Sequence, residues 1–211
     1  MFKQSLFNEE NEDLIHELIE TNSFGILVAI VDGELSADHL PFVFKPSAGD
    51  KGVLHAHIAK GNPLWKKQQP DQKVMAIFRG AHHYISPSWY ASKAEHGKVV
   101  PTWNYAVVHA HGTLKIIEDP VWLINHINEQ TNKNEAKYET PWKVSDAPEK
   151  YIEGQLKGIV GVEVEITHFE GKWKMSQNKN VTDKAGILKG LAKDGDENAH
   201  IMSGIISEEG K

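Results

Sequence analysis

Apolar and polar positions change their period several times along this 211-residue chain. Residues 9–21, EENEDLIHELIET, open acidic and then place Leu14, Ile15, Leu18 and Ile19 at helical spacing, which predicts a first helix. Residues 24–31, FGILVAIV, form a continuous apolar run rich in β-branched side chains, followed by Asp32-Gly33: a buried strand and a hairpin turn. The return strand is expected over 34–44, with Pro41 marking a strand end or bulge. Further strands are predicted at 52–59, 73–80 and 105–118, and 159–177 alternates strongly enough to suggest a strand hairpin turning at Glu170-Gly171. Helices are expected at 62–69 (Asn62 as cap, Pro63 at the first position), 119–135, 147–158 and 179–193. Residues 84–104 have no regular period and look like a loop; the segment after 193 is unassigned.

Strands joined by short turns, with helices set irregularly between them, favour a mainly β protein with peripheral helices (α+β). The expected architecture is an antiparallel barrel rather than a doubly wound sheet. Neither GxGxxG nor GxxxxGK[ST] occurs, so no Rossmann or P-loop nucleotide site is supported. With no internal repeat or linker, one domain over 1–211 is expected.

Composition narrows the functions. The absence of cysteine excludes disulfides, iron–sulfur clusters and thiolate zinc sites, and fits a reducing cytoplasm. The N-terminus has no apolar signal core and no run is long enough to span a bilayer, so a cytoplasmic protein without membrane association is expected. A formal net charge of −6 gives no general attraction to nucleic acid. The most lysine-dense stretch, residues 171–184, is the one place where a basic patch would sit; a solvated face is its plainer reading.

Histidines come in groups: His55-x-His57, His82-His83 and His109-x-His111. Residues two apart on a strand share a face, so each spaced pair lines up, and neutral imidazoles suit zinc or iron. No carboxylate stands beside them in a recognisable ligand pattern, which leaves ordinary polar or pocket histidines as the other reading. ISPSWY (85–90) and VPTWNY (100–105) interleave hydroxyls, an amide and aromatic rings. Such loops cap barrel ends, and they also suit a flat, phosphorylated ligand whose plane is flanked by rings and whose edges meet hydroxyls and amides.

Five segments, in order, resemble a known family. They are DHLPFVF (38–44), LHAHIAKGNPLW (54–65), AHHYISPSWY (81–90), VPTWNYAVVHAHG (100–112) and GIVGVEVEITHFEGKWKMSQNK (158–179). Together the chain is similar to the PaiB-type FMN-binding negative transcriptional regulators of the FMN-binding split-barrel superfamily. The resemblance implies an antiparallel split β-barrel, a homodimer and FMN held near the subunit interface. His39, His57, His82 and His109 match positions of the family pattern, whereas His55, His83 and His111 fall where the pattern is open. On that pattern no metal site is expected.

By the same resemblance, cofactor contacts are expected from three groups of residues. His57, Ala59, Lys60 and Asn62 lie where a strand passes into a helix, whose first N–H groups are free for a phosphate; Asn62 as a plain cap is the alternative. Ser86, Ser88, Trp89, Tyr90, Thr102, Trp103 and Asn104 are candidates for the pocket wall, with dimer packing of the aromatics as the competing reading. Lys174 and Gln177 are candidates for the phosphate or the isoalloxazine edge, against an exposed hairpin arm.

The resemblance implies a repressor, with DNA as a partner by that route only, since no basic recognition helix is apparent. A flavin-dependent oxidoreductase, with His82, Tyr84 or Tyr90 as proton-transfer candidates, is the alternative; a flavin- or haem-binding protein without turnover is a third.

Overall fold

A computed structural model describes residues 1–2 and 4–208. Its strands are β1 (Asn8–Glu9), β2 (Phe24–Val31), β3 (Glu34–Pro41), β4 (Val43–Lys45), β5 (Val53–Ala59), β6 (Lys73–Ile85), β7 (Thr102–Ile117) and β8 (Ile159–Lys174). The helices are α1 (Glu12–Thr21), α2 (Leu64–Lys67), α3 (Ser92–His96), α4 (Pro120–Glu135), α5 (Glu149–Leu156), α6 (Val181–Asp194) and α7 (Glu197–Glu208). The strands form one open, eight-stranded antiparallel sheet in the order β3-β2-β6-β7-β8-β5-β4, with β1 added to β8. This is the expected split-barrel architecture.

Two compact units share these elements. One comprises Ile19–Phe78 and His109–Phe169; the other comprises Met1–Leu18, Arg79–Val108 and the chain from Glu170 onward. Strands β6, β7 and β8 contribute residues to both.

In the first of these units β2 and β3 pair along their whole length, Phe24 against Pro41 and Val31 against Glu34. The connecting Asp32 and Gly33 both have positive φ, 54° and 83°, the conformation of a two-residue primed hairpin turn. β3 ends at Pro41, as the missing N–H requires. β5 pairs with β4 and β8, and its alternation buries Leu54, Ala56 and Ile58 while His55 and His57 share the opposite, half-buried face. Asp119 accepts from the Val121 N–H and Pro120 opens α4, as expected. α2 is a single turn from Leu64 rather than a helix over 62–69.

The second unit holds the larger departures from expectation. β8 is one unbroken strand through Glu170-Gly171, not a hairpin. Gly171 is small for another reason: a Cβ there would lie 2.6 Å from the Glu9 carbonyl oxygen, so glycine lets β1 approach in the Glu9–Gly171 pair. β6 continues to Ile85, burying Ala81, His83 and Ile85, and a short 3-10 turn (Pro87–Trp89) and α3 occupy much of the expected loop. β7 starts at Thr102, which places Thr102, Trp103 and Asn104 on a strand. The unassigned C-terminal segment forms α7 after a left-handed Gly195 (φ 76°), and it buries Ala199, Met202 and Ile206.

Candidate functional site

Nine of the thirteen residues expected to contact the cofactor fall in the second unit, and α6 seats the segment that carries Trp89 and Tyr90. Asn180 caps α6 by accepting from the Asp183 N–H at 2.8 Å. One turn in, the Asp183 carboxylate accepts from both Ser92 N (2.9 Å) and Ser92 Oγ (2.8 Å). Those bonds, the Ser92 N–H first, hold its pKa below the usual carboxylate range. Farther along, a Cβ at Gly186 would lie 1.9 Å from the Trp89 carbonyl oxygen, and one at Gly190 2.1 Å from the Trp89 ring. Asp183, Gly186 and Gly190 stand three and four residues apart, so one helix face seats the whole segment from Trp89 to Ser92. Asp183, Gly186 and Gly190 were not foreseen; the signal was the small-residue spacing within a predicted helix.

This seating buries Tyr90, whose hydroxyl has no hydrogen-bond partner among the described residues. Burial, then the neighbouring Asp183 and Tyr84, pushes its pKa up. The Lys179 ammonium lies 4.4 Å from the Tyr90 ring centroid. Ser86 accepts from the Ser88 N–H at 3.2 Å, and Lys93 Nζ donates to Ser88 Oγ at 3.2 Å.

β7 and the end of β8 supply a second row in the same unit. Lys174 Nζ is hydrogen-bonded to Thr102 Oγ1. Asn104 is wholly buried, and its amide meets Ser176 Oγ through both its nitrogen (2.9 Å) and its oxygen (3.1 Å). Gln177 donates to Trp173 O and accepts from Met175 N, so its amide braces the turn after β8. Trp103 is 52% exposed and Tyr84 43% exposed, their rings edge-on with centroids 6.2 Å apart; His82 lies 5.7 Å from Trp103. Burial, then Arg79, lowers the His82 pKa. Tyr84 takes its place here because β6 runs longer than its sequence period suggested.

His57, Ala59, Lys60 and Asn62 lie in the other unit. Asn62 Nδ2 donates to Asp38 Oδ1 (2.8 Å) and its Oδ1 accepts from Leu64 N (2.9 Å), so both ends of its amide are engaged. Ala59 and Lys60 are exposed; the Lys60 N–H bonds to Gly158 O and its carbonyl accepts from Trp65 Nε1. His57 Nδ1 stands 3.2 Å from Nε2 of His126 on α4. His126 is 2% exposed, stacks on Trp122 and leaves Nδ1 without a partner among the described residues. Burial, reinforced by His57, His55 and Lys45, pushes its pKa down to about 3, and burial also lowers that of His57. His55 Nε2 meets Glu163 Oε2 at 3.0 Å. His126 was missed in the sequence, although Trp122 and His126 are one helical turn apart and so share a face.

The donor set of the second unit fits a flavin mononucleotide. Lys174 beside Thr102 and Lys93 beside Ser88 are each a cation paired with a hydroxyl, the donor chemistry that suits a phosphate. Exposed rings suit a planar heterocycle, and the Tyr90 hydroxyl is a buried polar atom in want of a partner.

Residues 1–168 match the family model described as "Putative FMN-binding domain". The chain belongs to this FMN-binding family. The cofactor the family is named for is FMN. Relatives align end to end: the "Protease synthase and sporulation protein PAI 2" of Bacillus subtilis is 31% identical over 99% of this chain and 97% of its own length. An uncharacterized protein of Emericella nidulans is 33% identical over 100% of this chain and 98% of its own. Among solved structures, the flavocytochrome Anf3 of Azotobacter vinelandii superposes with a TM-score of 0.60 at 9% identity, over 88% of this chain and 78% of that one. The FAD- and heme-binding protein of Mycobacterium smegmatis gives 0.57 at 13%, over 79% and 73%. At such identities the likeness shows the fold alone. No helix among the described residues is long and apolar enough to cross a membrane.

Proposed function

We propose that this chain binds FMN as a homodimer in the cytoplasm and acts as a PaiB-type negative regulator of transcription. The end-to-end match to the Bacillus subtilis PAI 2 protein carries this reading. FMN, when bound, supplies electron chemistry that the side chains lack. Lys174, oriented by Thr102, would hold the phosphate, with Ser86, Ser88 and Lys93 completing its donors. Trp103 and Tyr84 would cover the ring, and Trp89, seated on α6, would fix the segment that presents Tyr90. Asn104 and Gln177 would act one step back, by holding the turn that carries Lys174.

A flavin-dependent oxidoreductase is the second reading, and the lysines of 171–184 favour it. Lys172 donates to Phe2 O, Lys174 bonds Thr102 and Lys179 covers Tyr90, so three of them are folded onto their own unit instead of lying open to DNA. A flavin or haem carrier without turnover is a third.

The experiment begins with FMN-loaded protein and its Lys174→Gln variant. Loss of the lysine is expected to raise the FMN Kd about tenfold, the loss of one charge-assisted contact. The regulator then predicts a specific DNA shift that weakens steeply with salt; an oxidoreductase predicts NAD(P)H turnover and no specific shift. A carrier gives neither.

A further inference from the structure

A groove of about 640 Å³ lies between α4, α5 and the 3-10 turn Val144–Asp146, wholly within the first-described unit. Its walls are apolar, from Val121, Ile124, Val144, Ile152 and Leu156, and Val121 is 64% exposed. A concavity of this size, mostly apolar with a few polar groups, has the character of a small-molecule site. None of the residues expected to hold FMN lines it.

The polar groups on the walls are Asn128, Ser145, Glu149 and Glu153. Asn128 donates one N–H to the Ile124 carbonyl at 2.8 Å, and its amide oxygen accepts no hydrogen bond among the described residues. Both glutamate side chains are exposed, and neither carboxylate has an ion-pair or hydrogen-bond partner among the described residues. Glu149 and Glu153 are four residues apart on α5, so their carboxylates stand on one face a single turn apart. The uncommitted groups are mainly acceptors, led by the two carboxylates; the Ser145 hydroxyl and the second Asn128 N–H are the donors. An anionic ligand would be repelled by the two carboxylates and a neutral one would leave their charge uncompensated; an ammonium supplies several donors and the complementary charge.

We propose that this groove binds an organic ammonium with an apolar body: the body against Val121, Ile124, Ile152 and Leu156, the ammonium between Glu149, Glu153 and the Asn128 oxygen. The site is independent of FMN.

The test uses the full chain and three probes of matched shape: 3-phenylpropylamine, 3-phenylpropanol and 3-phenylpropionate. Binding is followed by titration calorimetry and by backbone amide shifts. The amine is expected to saturate, with shifts confined to residues 120–128 and 144–156, and with a Kd about fivefold below that of the alcohol, as a partly solvated charge pair allows. The propionate is expected to bind more weakly than either. Glu149→Gln/Glu153→Gln should bring the amine to the level of the alcohol and leave the alcohol unchanged, with the thermal transition confirming that the variant is folded. Equal binding of all three probes, no saturation by the amine, shifts elsewhere, or an unaltered preference in the double variant would each overturn the proposal. So would a basic amphipathic peptide that shifts these amides where the amine does not, since the face would then be a protein-docking surface.

Discussion

His126 carries a cost that depends on pH. Its imidazole is buried and, among the described residues, bonded only through Nε2 to His57, and its pKa is pushed down to about 3. The unfolded chain takes up a proton near the ordinary value of 6.5 while the folded chain does not, so stability falls as pH drops below that value and levels off near the folded pKa. Between pH 7 and pH 5 the loss is on the order of 1–2 kcal/mol. His126→Leu is expected to flatten this dependence in urea melts at the two pH values; an unchanged slope would show that the proton goes elsewhere. Asn104 makes a parallel case. TWNY offers an amide among rings, which suggests a pocket wall, and in the structure both ends of that amide meet Ser176. A side chain's residue type was legible in the sequence, but its partner, 72 positions away, was not. Asn104→Ala is expected to cost about 1–3 kcal/mol in the same melts, the penalty for stranding a buried hydroxyl.

At the scale of elements, glycines separate what periodicity reveals from what packing decides. Within a helix, Gly→Ala is ordinarily favourable by about 0.5–1 kcal/mol. That gain is expected for Gly204→Ala in α7, where an added Cβ meets nothing within 4 Å. Gly186→Ala in α6 should instead destabilise by about 1–3 kcal/mol, because the methyl would run into the Trp89 backbone. Thermal melts of the two variants should move in opposite directions. The same distinction explains the strands. β2, β3 and β5 were legible because their alternation and turn residues agree. β8 was misread as a hairpin because Glu170-Gly171 looks like a turn, whereas its glycine answers to β1, a two-residue strand too short to be visible as a pattern. The aromatic segment at 84–104 looked irregular since its order comes from α6, nearly a hundred residues later, through Asp183 and Ser92.

For the whole molecule, the alternating strands and set-in helices suffice to suggest an antiparallel barrel with peripheral helices, and five spaced segments point to the family and, through it, to a split barrel. The division into two units was not legible, because β6, β7 and β8 pass through both without a break in their alternation. We expect the chain to unfold as one domain for that reason: breaking any of the three strands disturbs both units. Circular dichroism and tryptophan fluorescence should then give coincident transitions, and separated midpoints would count against it. The central claim is that the aromatic and hydroxyl-bearing face of the Arg79–Val108 unit, with Lys174, holds FMN. The measurement that tests it most directly is titration of flavin-free protein with FMN, followed by flavin fluorescence. The account predicts saturable quenching at one FMN per chain, weakened by Lys174→Gln and by Trp103→Ala. Absence of saturable binding, or binding that neither substitution alters, would contradict it.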